Sequence, residues 1–239
     1  MLGYYYGFDL TYIVLVLPCI LLAAIASANV NSTFKRYSQK HSYRRITGAQ
    51  AAERVLRSNG VSGVRIERVG GNLSDHFDPK TNVIRLSDSV HDSTSVAAIG
   101  VACHEAGHAV QYAQHYAPIK LRAAIIPITN IGSKLAMPLI LLGLLFSFGE
   151  SVSYGFVYAG IACFSLSLVF QLVTLPVEFN ASRRAMQAIE SGELLTDDER
   201  RGARKTLTAA ALTYVAATAV SLAQLLRLIL IFGGRRRND

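Results

Sequence analysis

Long apolar segments separate the polar parts of this chain. The first, Leu10–Ala28, has 19 residues without a charge, and similar segments cover Ile131–Phe148, Tyr154–Val177 and Leu207–Leu226. A helix needs about 20 predominantly apolar residues to cross the hydrocarbon core of a bilayer. The pattern therefore predicts about four transmembrane helices.

The stretch from Asn29 to Pro118 is the polar part that is long enough to form a water-exposed domain. Thr47 and Gln50 have the T-x-x-Q spacing of a capping box, and good helix formers follow them. This pattern predicts a helix over Gly48–Ser58.

Shorter patterns in the same stretch predict strands and a second helix. Val61–Val69 alternates imperfectly, Gly70–Asn72 is typical of a turn, and Asn82–Leu86 is a short β-branched run, so two strands of a small sheet are expected. An apolar run over Val96–Tyr116, which ends before Pro118, predicts a long helix.

The composition agrees with a membrane protein. Hydrophobic residues make up 51% of the chain, charged residues make up 17%, and the mean hydropathy is +0.31, values too apolar for an ordinary soluble domain or a disordered chain. Cys19, Cys103 and Cys163 lie in apolar surroundings, which argues against a disulfide scaffold and a CxxC metal site. The net charge of +8 comes without a recognition motif, so we expect no nucleic-acid partner.

Basic residues indicate the orientation in the membrane. A cluster after the first span consists of Lys35, Arg36, Lys40, Arg44 and Arg45. Six more basic residues lie between Asn180 and Lys205, whereas the link between the second and third spans carries only Glu150. Because basic residues favour the cytoplasmic side, we expect an integral membrane protein with its polar domain on the cytoplasmic side. Arg235–Arg237 does not fit a fourth complete crossing, and the topology of the last segment stays open.

The first apolar segment has two interpretations. Ala26–Ala28 has the A-x-A form of a signal-peptide cleavage site. No Lys or Arg precedes the segment, however, and a signal peptide begins with a basic region. A retained membrane anchor is therefore favoured.

The sharpest chemical pattern is His104-Glu105-Ala106-Gly107-His108, an HExxH on the predicted long helix. Residues four apart lie one turn apart on one helix face, so both imidazoles can bind a single zinc ion while Glu105 faces the attacking water. Zinc acidifies that water and polarises a carbonyl, which suits amide hydrolysis. The alternative is a buried helix without a metal, in which three ionisable side chains would be expensive to bury. Gly107 is a position where another backbone can approach closely.

Residues near the motif supply no third ligand. The metzincin pattern HExxHxxGxxH is excluded, because Gln111 and Gln114 stand at the Gly and third His positions. His115 would lie roughly 16 Å from His104 along a helix axis, and we interpret it as a surface residue. Cys103 points away from His104 and is interpreted as apolar filling.

A distant carboxylate is therefore expected to complete the site. Glu150 lies in the link on the opposite side of the membrane, and the acidic residues of the last polar run are interpreted as solvated. That run contains Glu190, Glu193, Asp197, Asp198 and Glu199. Glu178 remains, at the end of the third span, with Ser182 one helical turn later, where it could orient a ligating His. The alternative for Glu178 is an ion pair with Arg183 or Arg184.

Longer segments around these residues resemble the YugP-type family of membrane neutral zinc metallopeptidases (zinc-dependent peptidase, membrane type 2). The resemblance spans nearly the whole chain and is carried by Asp75–Pro79, Val83–Ser87, Ala97–Gln111 and Pro176–Ala185. It implies one zinc ion per chain, held by His104, His108 and Glu178, with Glu105 as general base. More remotely, the order of motif helix, transmembrane hairpin and ligating Glu is similar to that of gluzincins, many of which have an Asp where this chain has Ser182.

The combined prediction is an α-helical membrane protein with about four transmembrane helices and a small α+β zincin-like domain that carries the HExxH helix. Its parts are an N-terminal transmembrane anchor (1–30), a zincin-like metallopeptidase domain (31–118), a transmembrane hairpin (119–178), a cytoplasmic connection that begins with the third-ligand helix (179–206), and a last hydrophobic segment with a basic tail (207–239).

The predicted function is zinc-dependent hydrolysis of peptide bonds in membrane or membrane-proximal polypeptides. A catalytically inactive scaffold or chaperone-like protein of the same fold, and a zinc hydrolase of a non-peptide substrate, are the alternatives. Small residues on one face of the last span allow helices to pack within one chain or between chains, so the oligomeric state stays open.

Features that would bind a substrate are less sharply defined. Val83–Leu86 is the candidate edge strand for an extended peptide, and a hairpin packed on the motif helix is the alternative. Asp75, His76 and Asp78 could form a second metal cluster, but the Asp78-Pro79 pair favours a turn. The candidate oxyanion donors are His76, Tyr112 and Arg85.

Overall fold

A computed structural model describes residues 10–71, 74–145 and 150–233, without the side chains of residues 150 and 151. A π-helical segment, Tyr12–Val16, leads directly into the first α-helix. The elements are α1 (Leu17–Ser38), α2 (Gly48–Ser58), β1 (Arg65–Val69), β2 (His76–Asp78), β3 (Val83–Ser87), α3 (Val96–Ala113), α4 (Ala117–Leu145), α5 (Glu150–Ser191) and α6 (Asp197–Gly233). The predictions for Asn72, for the link at residues 146–149 and for Arg235–Arg237 fall outside the described residues.

The two helices of the polar domain form where the sequence predicts them. At the start of α2, Thr47 Oγ1 accepts a hydrogen bond from Gln50 N at 3.2 Å, and Thr47 N donates to Gln50 Oε1 at 3.0 Å, which confirms the capping box. At the start of α3, the Ser95 hydroxyl accepts from Ala98 N. The helix ends three residues before the predicted Tyr116, and His115 adopts a positive φ of 57°.

A three-stranded sheet has the order β1-β3-β2. The central strand β3 pairs in parallel with β1 and antiparallel with β2. The prediction that Val83–Leu86 forms an edge strand is therefore wrong. A short strand that the sequence pattern did not predict, β2, pairs with the second edge of β3. The apolar β3 residues Val83, Ile84 and Leu86 are fully buried.

The described chain forms two compact units, one of which contains Ala26–Lys120 together with Leu175–Thr213. Its hydrophobic core is built from side chains of α2, the sheet, α3 and the C-terminal part of α5. Members of this core include Val55, Leu56, Ile84, Leu86, Ile99, Val110, Ala185 and Ile189. Residues 175–213, which run from the end of the third predicted span into the fourth, thus belong to the same compact unit as residues 26–120.

Four helices among the described residues are long and apolar enough to cross a membrane. They cover Tyr12–Ser38, Ala117–Leu145, Val152–Ser191 and Asp197–Gly233. In the most apolar 18-residue segment of each helix, only 6% to 28% of the residues are buried inside the protein. Most of these side chains therefore face outward, as expected for helices that contact lipid. Each predicted span overlaps one of these helices, and the prediction of four transmembrane helices is confirmed.

Glycines allow α4 and α5 to pack closely in the other unit, which the remaining described residues form. A Cβ atom added to Gly143 would lie 2.5 Å from the carbonyl oxygen of Ser153, and one added to Gly160 would lie 2.7 Å from that of Ala136. Small residues at such positions are typical of contacts between membrane helices.

The polar run after α5 is only partly solvated, which corrects one prediction. Glu199 is 6% exposed, and its carboxylate accepts hydrogen bonds from Thr196 N at 2.9 Å and from Tyr43 N at 2.7 Å. Two exposed acids of the run also bind the segment after α1, Asp198 to Lys40 and Glu193 to Arg44. These contacts explain why the run folds with the rest of the unit.

Candidate metal centre

The motif helix α3 holds two imidazoles next to each other, that of His108 buried and that of His104 partly buried. Its other face carries small and aliphatic residues that belong to the core, such as Ala102, Cys103 and Ala106. The rings of His104 and His108 are 4.7 Å apart between centroids, as expected for residues one helical turn apart.

Glu178, on α5, meets both imidazoles. Its Oε2 atom lies 3.2 Å from His104 Nε2 and 3.5 Å from His108 Nε2, and the residue is 2% exposed. Arg184, one of the two basic residues considered as a partner of Glu178, donates to Asn180 Oδ1 at 2.8 Å and to Gln114 Oε1 at 2.6 Å. The structure thus brings together the three residues that the sequence nominated as ligands.

The distances between these three side chains suit a zinc ion. Each offers one ligand atom, and all three atoms lie within 4.8 Å of one another. Bonds of 2.0–2.2 Å in tetrahedral geometry place two ligand atoms about 3.4 Å apart, close to the two observed nitrogen–oxygen distances. Two imidazoles and one carboxylate also form a donor set that zinc prefers, whereas calcium and magnesium prefer oxygen ligands.

Close contact between α3 and α5 depends on Gly107. A Cβ atom at this position would lie 2.8 Å from the carbonyl oxygen of Ala181. The absence of a side chain therefore allows the backbone of α5 to approach the middle of the HExxH motif, as the sequence suggested. This approach carries Glu178, three residues before Ala181, to the two imidazoles.

Ser182 contacts the second nitrogen of one imidazole. Its Oγ atom lies 3.1 Å from His104 Nδ1, as expected from its position one turn after Glu178. An Nδ1–H group that donates to this hydroxyl leaves the lone pair on Nε2 free for a metal. Ser182 thus orients the ring that faces Glu178.

We expect Ser182→Ala to weaken zinc binding about 10–100-fold, since the replacement removes the acceptor for His104 Nδ1–H. A competition titration against a chelating dye would measure the change. Ser58→Ala is the control, because the Ser58 hydroxyl donates to Val55 O at the end of α2, away from the site. Equal zinc affinities of the wild type and Ser182→Ala would contradict the orienting role.

Gln111 holds the other imidazole, a role that sequence reasoning missed. Arg184 Nε can only donate, so the atom of Asn180 that faces it at 2.8 Å is the oxygen. The Gln111 amide nitrogen donates to this oxygen at 2.9 Å and to Val177 O at 2.8 Å. Gln111 Oε1 therefore faces His108 Nδ1, at 3.0 Å, and accepts a hydrogen bond from Nδ1–H, which leaves the His108 Nε2 lone pair for a metal.

The charges around His108 favour its protonated form in the metal-free chain. Burial lowers the pKa of the imidazole, but the hydrogen bond with Glu178 and the nearby carboxylates of Glu105 and Glu178 outweigh burial, so that its pKa is raised. Glu105 is 8% exposed. A buried site with two carboxylates is thus suited to a cation.

The remaining candidates from the sequence do not join this cluster. Burial raises the pKa of the Cys103 thiol to about 12, so this side chain stays protonated and belongs to the core, as predicted. His115 is exposed, also as predicted. Tyr112 packs edge-on against Phe77 of β2, with the ring centroids 6.1 Å apart.

Asp75 and Asp78 bind neighbouring protein groups, and the turn that the Asp78-Pro79 pair indicates lies directly after strand β2, at residues 79–82. Asp78 accepts hydrogen bonds from the Thr81 hydroxyl, from Lys80 N and from Arg85, and these bonds lower the pKa of its carboxyl to about 2. Asp75 accepts from the backbone and the hydroxyl of Ser87. The interpretation as a turn is confirmed, and Arg85 is engaged in this turn.

Comparisons with known proteins agree with this geometry. A protein family described as "Putative neutral zinc metallopeptidase" matches residues 12–233. The chain is also 44% identical over 228 residues to "Putative membrane protease YugP" of Bacillus subtilis (strain 168), which covers 95% of this chain and 99% of that protein. No solved structure gives a significant match. Since the family match includes the HExxH helix, Glu178 and all four apolar helices, this chain is an integral membrane protein of the neutral zinc metallopeptidase family.

Proposed function

We propose that this protein is a zinc endopeptidase that hydrolyses peptide bonds in membrane or membrane-proximal polypeptides. The observation that carries the proposal is the convergence of His104, His108 and Glu178 on one point, directly beside Glu105, in a chain of this family. The three converging side chains would hold the zinc ion. When bound there, zinc would supply an acidified water and a polarised substrate carbonyl.

Glu105 would act as the general base. It follows His104 directly in the chain, and its negative charge is one of the causes that raise the pKa of His108, which supports a position near the proposed ligands. We infer that this carboxylate accepts a proton from the attacking water and then donates it to the nitrogen of the leaving amine. Ser182 and Gln111 keep the two imidazoles in the tautomer that presents Nε2 throughout this proton transfer.

The distribution of basic residues indicates the side of the membrane on which the site lies. The unit that contains it also carries the basic residues around Lys35–Arg45 and Asn180–Lys205. Because basic residues flank membrane spans on the cytoplasmic side, we propose that the site acts on polypeptides there. The chain would then lie in the cytoplasmic membrane of a bacterium.

The proposal is tested by zinc content and peptide cleavage of the full-length protein in detergent. We expect about one zinc per chain, with chelator-sensitive cleavage of a quenched fluorescent peptide, and loss of both in His104→Ala and Glu178→Ala. The matched controls are His115→Ala, at the exposed end of α3, and Glu190→Ala, an exposed carboxylate three turns later on α5. Both controls should keep the metal.

Other outcomes would favour the alternatives. Folded native protein without zinc would overturn the enzyme and support a scaffold. Bound zinc with chelator-sensitive cleavage of esters, but not of peptides, would instead identify a hydrolase of non-peptide substrates.

A further inference from the structure

A cavity of about 430 Å³ lies between α1 and α6, in the unit that also contains the candidate metal centre. Helix α1 contributes Asn29 and Thr33 to its lining, and α6 contributes Arg204, Lys205 and Thr208. None of these residues takes part in the proposed hydrolysis.

Two cations in this cavity have no counter-charge. Among the residues that the structure describes, Arg204 and Lys205 form no ion pair, and both are exposed. A third basic residue of the lining, Arg201, pairs with Asp198 at 2.8 Å. The cavity therefore presents a net positive charge to whatever enters it.

The uncharged lining adds hydrogen-bond donors. The Thr33 hydroxyl donates to Asn29 Oδ1 at 3.4 Å, which leaves the Asn29 amide nitrogen as a donor. The guanidinium of Arg204 and the ammonium of Lys205 can only donate. Such a set of donors suits the oxygens of a phosphate group.

The position of the cavity along both helices matches the depth of lipid headgroups. The charge-free run of α1 ends at Phe34, directly after Thr33, and the charge-free run of α6 begins at Thr206, directly after Lys205. The lining thus lies where two apolar runs meet polar sequence, which is where headgroups lie in a bilayer. Leu212 lines the same cavity and is 45% exposed, so an acyl chain could pack beside it.

We propose that this cavity binds the phosphate of an anionic glycerophospholipid, such as phosphatidylglycerol. Arg204 and Lys205 bind the phosphate oxygens, the Asn29 amide donates to the headgroup, and one acyl chain lies against Leu212. Basic pockets between membrane helices recognise anionic headgroups in this way. The proposal is independent of the proposed hydrolysis.

Native mass spectrometry of the full-length protein, with phosphatidylglycerol or phosphatidylcholine added in detergent, tests the site. We expect the wild type to retain phosphatidylglycerol in preference to phosphatidylcholine. In the double variant Arg204→Gln/Lys205→Gln we expect phosphatidylglycerol to bind about 30-fold more weakly, since each basic residue near a headgroup contributes about fivefold. The charge-preserving exchange Arg204→Lys/Lys205→Arg should retain most of the binding.

The matched control is Arg54→Gln/Arg57→Gln, which removes two exposed basic residues from α2 in the same unit. This variant should bind phosphatidylglycerol like the wild type, and far-UV circular dichroism verifies that every variant is folded. Three results would each overturn the proposal: equal binding of the two lipids, unchanged binding in Arg204→Gln/Lys205→Gln, or binding of free glycerol 3-phosphate as tight as that of the lipid.

Discussion

Glu105→Gln is expected to lower the rate of peptide hydrolysis about 10²- to 10⁴-fold, the contribution that a positioned general base typically makes. The amide has nearly the shape of the carboxylate but cannot accept the proton of the attacking water. Zinc should stay bound, because the three proposed ligands, His104, His108 and Glu178, are unchanged. The hydrolysis rate is measured with a fluorescent peptide, and the bound zinc is measured on the same preparation.

Glu53→Gln is the control for this replacement, since Glu53 is an exposed carboxylate on α2 that pairs with Arg57. It should change neither rate nor zinc content. Glu105→Gln protein that keeps both its zinc and the full rate would show that another group accepts the proton. Loss of zinc in this variant would show that Glu105 helps to hold the metal.

Gly107→Ala is expected to disrupt the metal centre, although alanine is the better helix former by about 1 kcal/mol. The added methyl group would lie 2.8 Å from Ala181 O, a backbone atom that cannot rotate away, so α3 and α5 must separate. Such overpacking typically costs about 1–3 kcal/mol of stability. Because the displaced helix carries Glu178, zinc affinity and the rate of hydrolysis should fall together. Chelator competition and thermal unfolding measure the two effects.

Gly100→Ala provides a closely matched control on the same helix. Its added methyl group would lie 3.5 Å from Ala203 Cβ, an ordinary van der Waals distance. We expect this variant to keep its zinc and to be at least as stable as the wild type. If Gly107→Ala behaved like Gly100→Ala, the close approach of α5 would not be needed to build the site.

The local part of the site could be predicted because helix geometry alone determines it. The spacing of His104 and His108 places both imidazoles on one face, whatever packs against them. Glu178 was reached by excluding other carboxylates, and its contact with the imidazoles spans 70 positions from His108 in the chain. No periodicity encodes a contact over that distance, so the sequence could nominate this ligand but could not place it.

Two residue spacings in the sequence are typical of contacts that the structure contains but the sequence analysis did not predict. Gln111 lies three residues after His108, a spacing at which helical side chains meet, yet it was considered only as a departure from the metzincin pattern. Thr196 and Glu199 have the T-x-x-E spacing of a capping box, which accounts for the hydrogen bond from Thr196 N to the buried Glu199 carboxylate. The polar composition around them suggested a solvated run instead.

The incorrect prediction that Val83–Leu86 forms an edge strand has a different cause. β2 has only three residues, His76–Asp78, too few to show the alternation by which a strand is recognised. Without it, the sequence offered two strands, and each strand of a two-stranded sheet is necessarily an edge. Pairing with β2 is a property of the folded chain, and it makes β3 the centre of the sheet.

The order of the proposed ligands along the chain determines when the site can form during synthesis. The ribosome delivers His104 and His108 first, and Glu178 follows only after the whole of α4 and most of α5. A nascent chain therefore carries an incomplete centre until the α4–α5 hairpin has been made and delivered to the bilayer. A polypeptide that remained in the cytosol, with this hairpin uninserted and exposed, would lack the helix packing that presents its last ligand. If the proposed peptidase activity needs all three ligands, it would in this way be postponed until membrane integration.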